Sequence, residues 1–185
     1  MQSFAERAGK AWEKWECSTC WEAWDEDILA MYDLYEERFG FTPRPTQQIT
    51  ADRALEITVP GIIILEAPMG EGKTETALVM AEILAAKAGR GGVFFALPTQ
   101  ATSNGIFPRM IKWISALEAE GPRSIILAHG KAMFNEDYRG LLPKNSYAEG
   151  QFEKDIRVNE WFCGRKKGLL ADFAVGTIDQ LLMAG

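Results

Sequence analysis

Residues 65–77 read LEAPMGEGKTETA. The apolar run Gly61 to Glu66 leads into a glycine-rich turn, which ends at Lys73 and Thr74 in a segment of good helix formers. Each residue type has a physical job in that order. Gly70 and Gly72 lack the Cβ that would block a turn of positive φ and keep backbone amides from closing around phosphate oxygens. Lys73 brings a point charge to the phosphates, and Thr74 brings a hydroxyl for Mg2+. The following helix turns its N-terminus toward the anion. Pro68, Met69, Glu71 and Glu75 complete the loop around these residues. The stretch is therefore a candidate ATP site, with Lys73 and Thr74 as its catalytic residues. The strict loop pattern has Gly where Ala67 stands, a departure offset by the strand before the loop and the helix after it.

Holding a nucleotide and cleaving it need different residues, because hydrolysis also requires a carboxylate that holds Mg2+ and orients water. That acid normally follows an apolar strand. VFFALPTQ, residues 93–100, leaves its strand through Pro98 and Thr99, and SIILAHG, residues 124–130, ends at His129. DFAVGTIDQ, residues 172–180, reaches Asp179 only after Gly176 and Thr177. None is an apolar strand followed by Asp-Glu, so the chain is expected to bind ATP without the acids that cleave it.

Outward from the loop, short apolar runs alternate with longer amphipathic ones. Strands are predicted at Gly61 to Glu66, Gly92 to Leu97, Ser124 to His129 and Asp172 to Gly176. Helices are predicted at Gln47 to Ile57, Lys73 to Lys87, Ser103 to Glu118 and Lys154 to Ala171. Residues 130–151 receive no assignment. The alternation predicts an α/β fold, a P-loop domain with a mostly parallel sheet flanked by helices and ligands at the C-terminal strand ends.

The first forty residues differ from the rest. They hold ten acidic against four basic side chains, whereas residues 41–185 hold sixteen of each. Four of the six Trp, at 12, 15, 21 and 24, also lie there. A helix carrying Trp21, Trp24, Ile28 and Tyr35 on one face, with Thr19 and Glu22 as a capping box, is predicted to pack against the body. RFGFTPRPTQ, residues 38–47, then breaks the pattern with Gly40, Pro43 and Pro45. The chain divides accordingly into a Trp-rich helical accessory segment, residues 1–40, and a main domain, residues 41–185.

The neutral main domain argues against gripping nucleic acid by bulk charge, though not against a few positioned contacts. No apolar stretch reaches membrane-spanning length and the N-terminus lacks a signal pattern, so a cytoplasmic protein without membrane contact is expected. Cys17, Cys20 and Cys163 are read as free thiols, because Cys17-x-x-Cys20 is only half of a zinc ribbon.

Two further stretches fall at strand ends. ALPTQATSNGIFPRM, residues 96–110, and VGTIDQLL, residues 175–182, place hydroxyls and exposed amides where a phosphodiester backbone could be held. Taken singly, each is more often an ordinary helix cap. Together with the phosphate loop the set resembles the first motor domain of superfamily 2 helicases. More narrowly it resembles the helicase part of the CRISPR-associated helicase-nucleases of type I systems. FTPRPTQ is similar to the Q motif, APMGEGKTETA to motif I, LPTQATSNGIFPR to motif Ia and VGTIDQLLMA to a later DNA-contacting motif, over roughly residues 39 to 185.

The resemblance implies a RecA-like domain in which Gln47 reads the adenine edge, with Phe39 or Phe41 as a stacking partner. Thr99, Gln100, Thr102, Gly176 and Thr177 would contact single-stranded DNA. Arg165, Lys166 and Lys167 are basic, but a solvated turn accounts for them. In that family the Walker B strand, bearing Asp-Glu-x-His, follows the GTIDQLL element, and this chain is expected to be a fragment truncated before it. The implied partners are the remainder of the helicase-nuclease, namely a second motor domain and an HD nuclease, and through them a CRISPR RNA-guided surveillance complex. Two other readings compete: a small P-loop nucleotide kinase, for which only GRKK at residues 164–167 could serve as an arginine lid, and a non-catalytic interaction module.

Overall fold

The computed structural model describes residues 3, 6, 25, 27, 29, 32–117, 123–142, 156–158, 162 and 168–183. The Trp stripe, the Thr19–Glu22 capping box, all three cysteines and Arg165 to Lys167 lie outside them.

The described elements run α1 (Leu34–Phe39), α2 (Pro45–Leu55), α3 (Lys73–Ala88), β1 (Val93–Leu97), α4 (Gln100–Ala116), β2 (Arg123–Ala128), α5 (Glu136–Gly140), β3 (Ile156–Arg157), β4 (Phe173–Thr177) and α6 (Ile178–Leu182). Single 3-10 turns sit at Ala132–Phe134 and Gly168–Leu170. The four strands form a sheet in the order β1-β4-β2-β3, and every pairing is parallel. A parallel sheet with helical crossovers is the α/β architecture the alternation predicts.

β4 is central, and all five of its residues are buried. Its register against β2 is pinned at the N-terminal end: Asp172 accepts from the Ser124 amide and hydroxyl at 2.8 and 2.9 Å, and the Asp172 amide donates back to that hydroxyl at 2.9 Å. At the other end Gly176 lies opposite both Ala128 and Ala96, so three strands finish in line. Helix α4 covers the sheet with Phe107, Met110, Trp113 and Ile114. Trp113 meets Phe173 edge-on at 5.6 Å. A second cluster joins Leu34 and Tyr35 of α1, Ala51 and Ala54 of α2 and Val79, Met80 and Ile83 of α3. Helix α3 faces both clusters, because Leu78 belongs to the first.

Local sequence accounts for the helix ends. Gly72, at φ 72°, begins α3, and Gly89, at φ 56°, ends it with its amide donating to the Ala85 and Ala86 carbonyls. Both positions need the left-handed conformation that glycine adopts without strain. Thr99 caps α4 by accepting from the Thr102 amide, so α4 begins three residues earlier than predicted.

Two predicted elements are corrected. Residues 61–66 are not a strand: they run without a ladder partner, with Ile62 and Ile64 91% and 88% exposed. The apolar pattern is that of a buried strand, yet a strand exists only where another edge supplies its hydrogen bonds, and among the described residues none does. The described residues of the predicted helix Lys154 to Ala171 are not helical in that way: Ile156–Arg157 pairs with Arg123 and Ser124, and Gly168–Leu170 is a 3-10 turn. The unassigned stretch after Gly130 begins with the turn at Ala132–Phe134 and continues into α5. No helix among the described residues is long and apolar enough to cross a membrane.

Candidate nucleotide and nucleic-acid site

The phosphate loop is shaped by its glycines and braced from α2. Gly70 has φ 84° and open space where a Cβ would stand, while at Gly72 a Cβ would lie 2.4 Å from the Gln47 amide nitrogen. Gln47 is 2% exposed. Its Oε1 accepts from the Arg44 amide at 2.9 Å and its Nε2 donates to the Gly72 carbonyl at 3.3 Å. Each end of its amide makes one hydrogen bond inside the protein, which ties Gln47 to the loop.

The Arg44 guanidinium donates to the Gly70 carbonyl at 2.6 Å and lies 3.4 Å from the Glu71 carboxylate. Tyr35 adds a further brace, its hydroxyl donating to the Gln47 carbonyl at 3.3 Å. Burial, opposed by the Thr76 hydrogen bond and aided by Asp33 and Glu75, pushes the Tyr35 phenol up, so it remains a neutral donor. Nothing in the sequence marks Tyr35 or Arg44 as loop supports, since the residues they serve lie 12 and 26 positions away.

The exposed Lys73 ammonium donates to the Ala67 and Pro68 carbonyls, both at 2.6 Å. It is held at the loop by weak neutral acceptors, which a phosphate would outcompete with charge-assisted bonds. Thr74 follows at the start of α3, half-buried. The Glu75 carboxylate lies 3.4 Å from Arg109 of α4. Pro68 is exposed and Met69 is 96% exposed, so neither is packed into the protein. Phe39 and Phe41 stack on each other at 5.8 Å. A cradle of two left-handed glycines with an exposed ammonium fits a polyphosphate, and the Thr74 hydroxyl suits Mg2+. Among the described residues no group of three His, Cys, Asp or Glu could hold a metal by itself.

The second set of residues lies at the common end of β1, β2 and β4. Thr99 and Thr102 spend part of their hydroxyl capacity on one another, at 3.0 Å, within a capping box. Gln100, the first residue of α4, is exposed. Gly176 is buried and Thr177 is 7% exposed. The register explains that glycine without any ligand: a Cβ on it would stand 2.5 Å from the Ala128 carbonyl oxygen. Helix α6 starts directly after Thr177, whose side chain makes no capping bond.

His129, the residue after β2, joins a network the sequence does not reveal. Its Nε2 lies 3.0 Å from Asn104 Oδ1, the Lys131 amide donates to its Nδ1 at 3.2 Å, and Asn135 Nδ2 donates to the same Asn104 oxygen at 3.2 Å. Because Nδ1 accepts, the donors assign a neutral imidazole with its proton on Nε2. Burial pushes its pKa below the ordinary value. A second proton on Nδ1 would face the Lys131 N–H. The neutral form therefore contributes stability that is fully present above the ordinary imidazole pKa, about 6.5, and is lost as pH falls toward the depressed folded value. His129 is the only histidine. Between about pH 7 and pH 5 the parent is accordingly expected to lose more stability than a His129→Gln variant, as read by urea denaturation at each pH.

No family model matches the chain. In sequence it is similar to the CRISPR-associated nuclease/helicase Cas3 of Streptococcus thermophilus, 47% identical over 99% of this chain and 20% of that protein. It is also similar to the CRISPR-associated endonuclease/helicase Cas3 of Thermus thermophilus, 41% identical over 86% of this chain and 18% of that protein. In structure it is similar to T. fusca Cas3 with ATP, at a TM-score of 0.63 and 34% identity, covering 82% of this chain and 16% of that one. The T. fusca Cas3–ADP structure matches equally, at 0.63 and 32%. The chain spans about a fifth of the length of the curated relatives it matches. On that likeness of sequence and fold, the chain matches one segment of the Cas3 CRISPR-associated nuclease/helicases.

Proposed function

We propose that this segment is the ATP-binding half of the first motor domain of a helicase that moves along single-stranded DNA in CRISPR interference. The observation that carries the reading is the phosphate loop: Gly70 and Gly72 in left-handed turns, with the Lys73 ammonium exposed at the mouth. Lys73 would hold the phosphates and Thr74 would hold Mg2+. Bound Mg2+ would supply charge neutralisation across the β- and γ-phosphates. Gln47, through the Gly72 carbonyl, sets the loop's shape. At the strand ends, Thr99, Gln100, Thr102 and Thr177 would contact a phosphodiester backbone. None of the described strands ends in the acid pair that hydrolysis needs, so this segment is expected to hold ATP without turning it over. The second motor domain, the HD nuclease and the RNA-guided surveillance complex belong to the same reading as partners.

Nucleotide binding is measured by thermal shift. ATP with Mg2+ at 100 times its dissociation constant should stabilise the protein by about 2.7 kcal/mol. Lys73→Ala should remove most of that shift while leaving the ligand-free melting temperature unchanged, since Lys73 is exposed. No shift in the parent, or an equal shift in the variant, sinks the phosphate-loop reading. Single-stranded DNA binding that survives Thr99→Ala with Gln100→Ala sinks the strand-end reading separately.

A further inference from the structure

Beyond the backbone contacts, the geometry points to a base-stacking platform for single-stranded nucleic acid on the turn Ala132–Phe134, with Phe134 as the stacking face, Met133 beside it and Lys131 as a flanking phosphate contact. The inference rests on the reading of this strand edge as a nucleic-acid path.

Phe134 is 82% exposed and Met133 59% exposed, although the turn that carries them is fastened on every side. The Ala132 amide donates to the His129 carbonyl, the Phe134 amide to Lys131 and the Asn135 amide to Ala132, at 2.9 to 3.2 Å. Ala132 is buried beneath the turn. Asn104 of α4 receives both His129 and Asn135, which clamps the two ends of the turn to one point. Asn135 then caps α5 by accepting from the Tyr138 amide at 2.9 Å, and the buried Tyr138 ring meets Phe107 of α4 edge-on at 5.7 Å. The apolar side chains needed for packing, Ala132 and Tyr138, are already inside. Phe134 and Met133 are left in water by a turn with little freedom to withdraw them.

Place and charge select the occupant. Asn104 lies four residues after Gln100 on α4, about 6 Å along the helix axis, so the clamp is one turn from the residues read as backbone contacts. His129 follows Ala128, which is in register with Gly176. The platform therefore shares its edge with Thr99, Gln100 and Thr177. Around it, exposed Lys131 and Arg139 are matched by exposed Glu136 and Asp137, so bulk attraction for a polyanion is weak and an aromatic face must supply the contact. Single-strand binders use that arrangement, with bases stacked on aromatic rings while a few cations follow the backbone.

The test compares oligo-dT of about 12 nucleotides with an abasic strand of equal length, by fluorescence anisotropy on the whole chain. Phe134→Ala should weaken oligo-dT binding roughly tenfold, with abasic binding and melting temperature unchanged, and Phe134→Trp should restore the difference. Thr99→Ala with Gln100→Ala should weaken both strands alike. If the parent prefers neither strand, or Phe134→Ala weakens both equally or neither, the platform does not meet a base. The proposal then falls in favour of a protein-docking turn, while the backbone-contact reading stands. If the parent binds neither strand, the reading beneath it fails as well.

Discussion

Glu82→Ala is expected to cost about 3–5 kcal/mol, a large share of the stability of a domain this size. Glu82 and Arg38 are 1% and 3% exposed. The guanidinium Nη2 donates to Glu82 Oε1 at 2.8 Å, and Nε reaches both carboxylate oxygens at 3.2 Å. The remaining Nη1 donates to the Ala116 carbonyl at the end of α4, at 3.0 Å. One buried ion pair thus ties α1, α3 and α4 together between the two apolar clusters. Removing the carboxylate takes the Glu82 counter-charge from a buried guanidinium, and desolvation makes that far costlier than loss of a surface pair. Removing both charges is a different matter: Arg38→Met with Glu82→Leu should fall within about 1–2 kcal/mol of the parent, because matched apolar side chains refill the volume without an uncompensated ion. Urea denaturation of the three variants checks this. A loss under about 1 kcal/mol for Glu82→Ala would mean that water reaches the pair.

Gly176→Ala should destabilise by about 3 kcal/mol, the upper end of ordinary overpacking. The new Cβ would stand 2.5 Å from the Ala128 carbonyl oxygen and 2.8 Å from the Ala128 Cβ. Neither neighbour is the far end of a flexible side chain, and β4 lies between β1 and β2 with no free side to move toward. The strands must part at the end where the loops meet, so the melting temperature should fall without any ligand present. From sequence, Gly176 is expected to be a DNA contact. If the glycine served only as a DNA contact, the melting temperature would be unchanged and DNA binding weaker. Thermal denaturation of the variant therefore separates the two roles.

The site was legible where its chemistry is local. Gly70, Gly72, Lys73 and Thr74 are adjacent, each with a conformational or chemical demand that only its residue type meets. Elsewhere the same logic gave a part of the answer. Thr99 and Thr102 were legible as hydroxyls at a strand end, but their mutual capping bonds appear only in the folded helix. Gln47 was legible as a residue of the site, but its burial and its bond to Gly72 arise only when α2 packs against the loop. The ties of Arg44 to Gly70 and of Asn104 to His129 and Asn135 carry no sequence signal, since those partners lie 25 or more residues apart in the chain. Ile62 and Ile64 mark the opposite failure, an apolar pattern with no described neighbour to make it a strand.

By itself the sequence determined the α/β class, three of the four described strands and the glycine turn that opens α3, because hydrophobic period and turn geometry act within a few residues. Only the tertiary structure decided the strand order, the Arg38–Glu82 tie, the neutral His129 clamp and the exposure of Phe134. Each of those depends on which surfaces meet and exclude water, a long-range outcome that neighbouring residues in the chain do not encode.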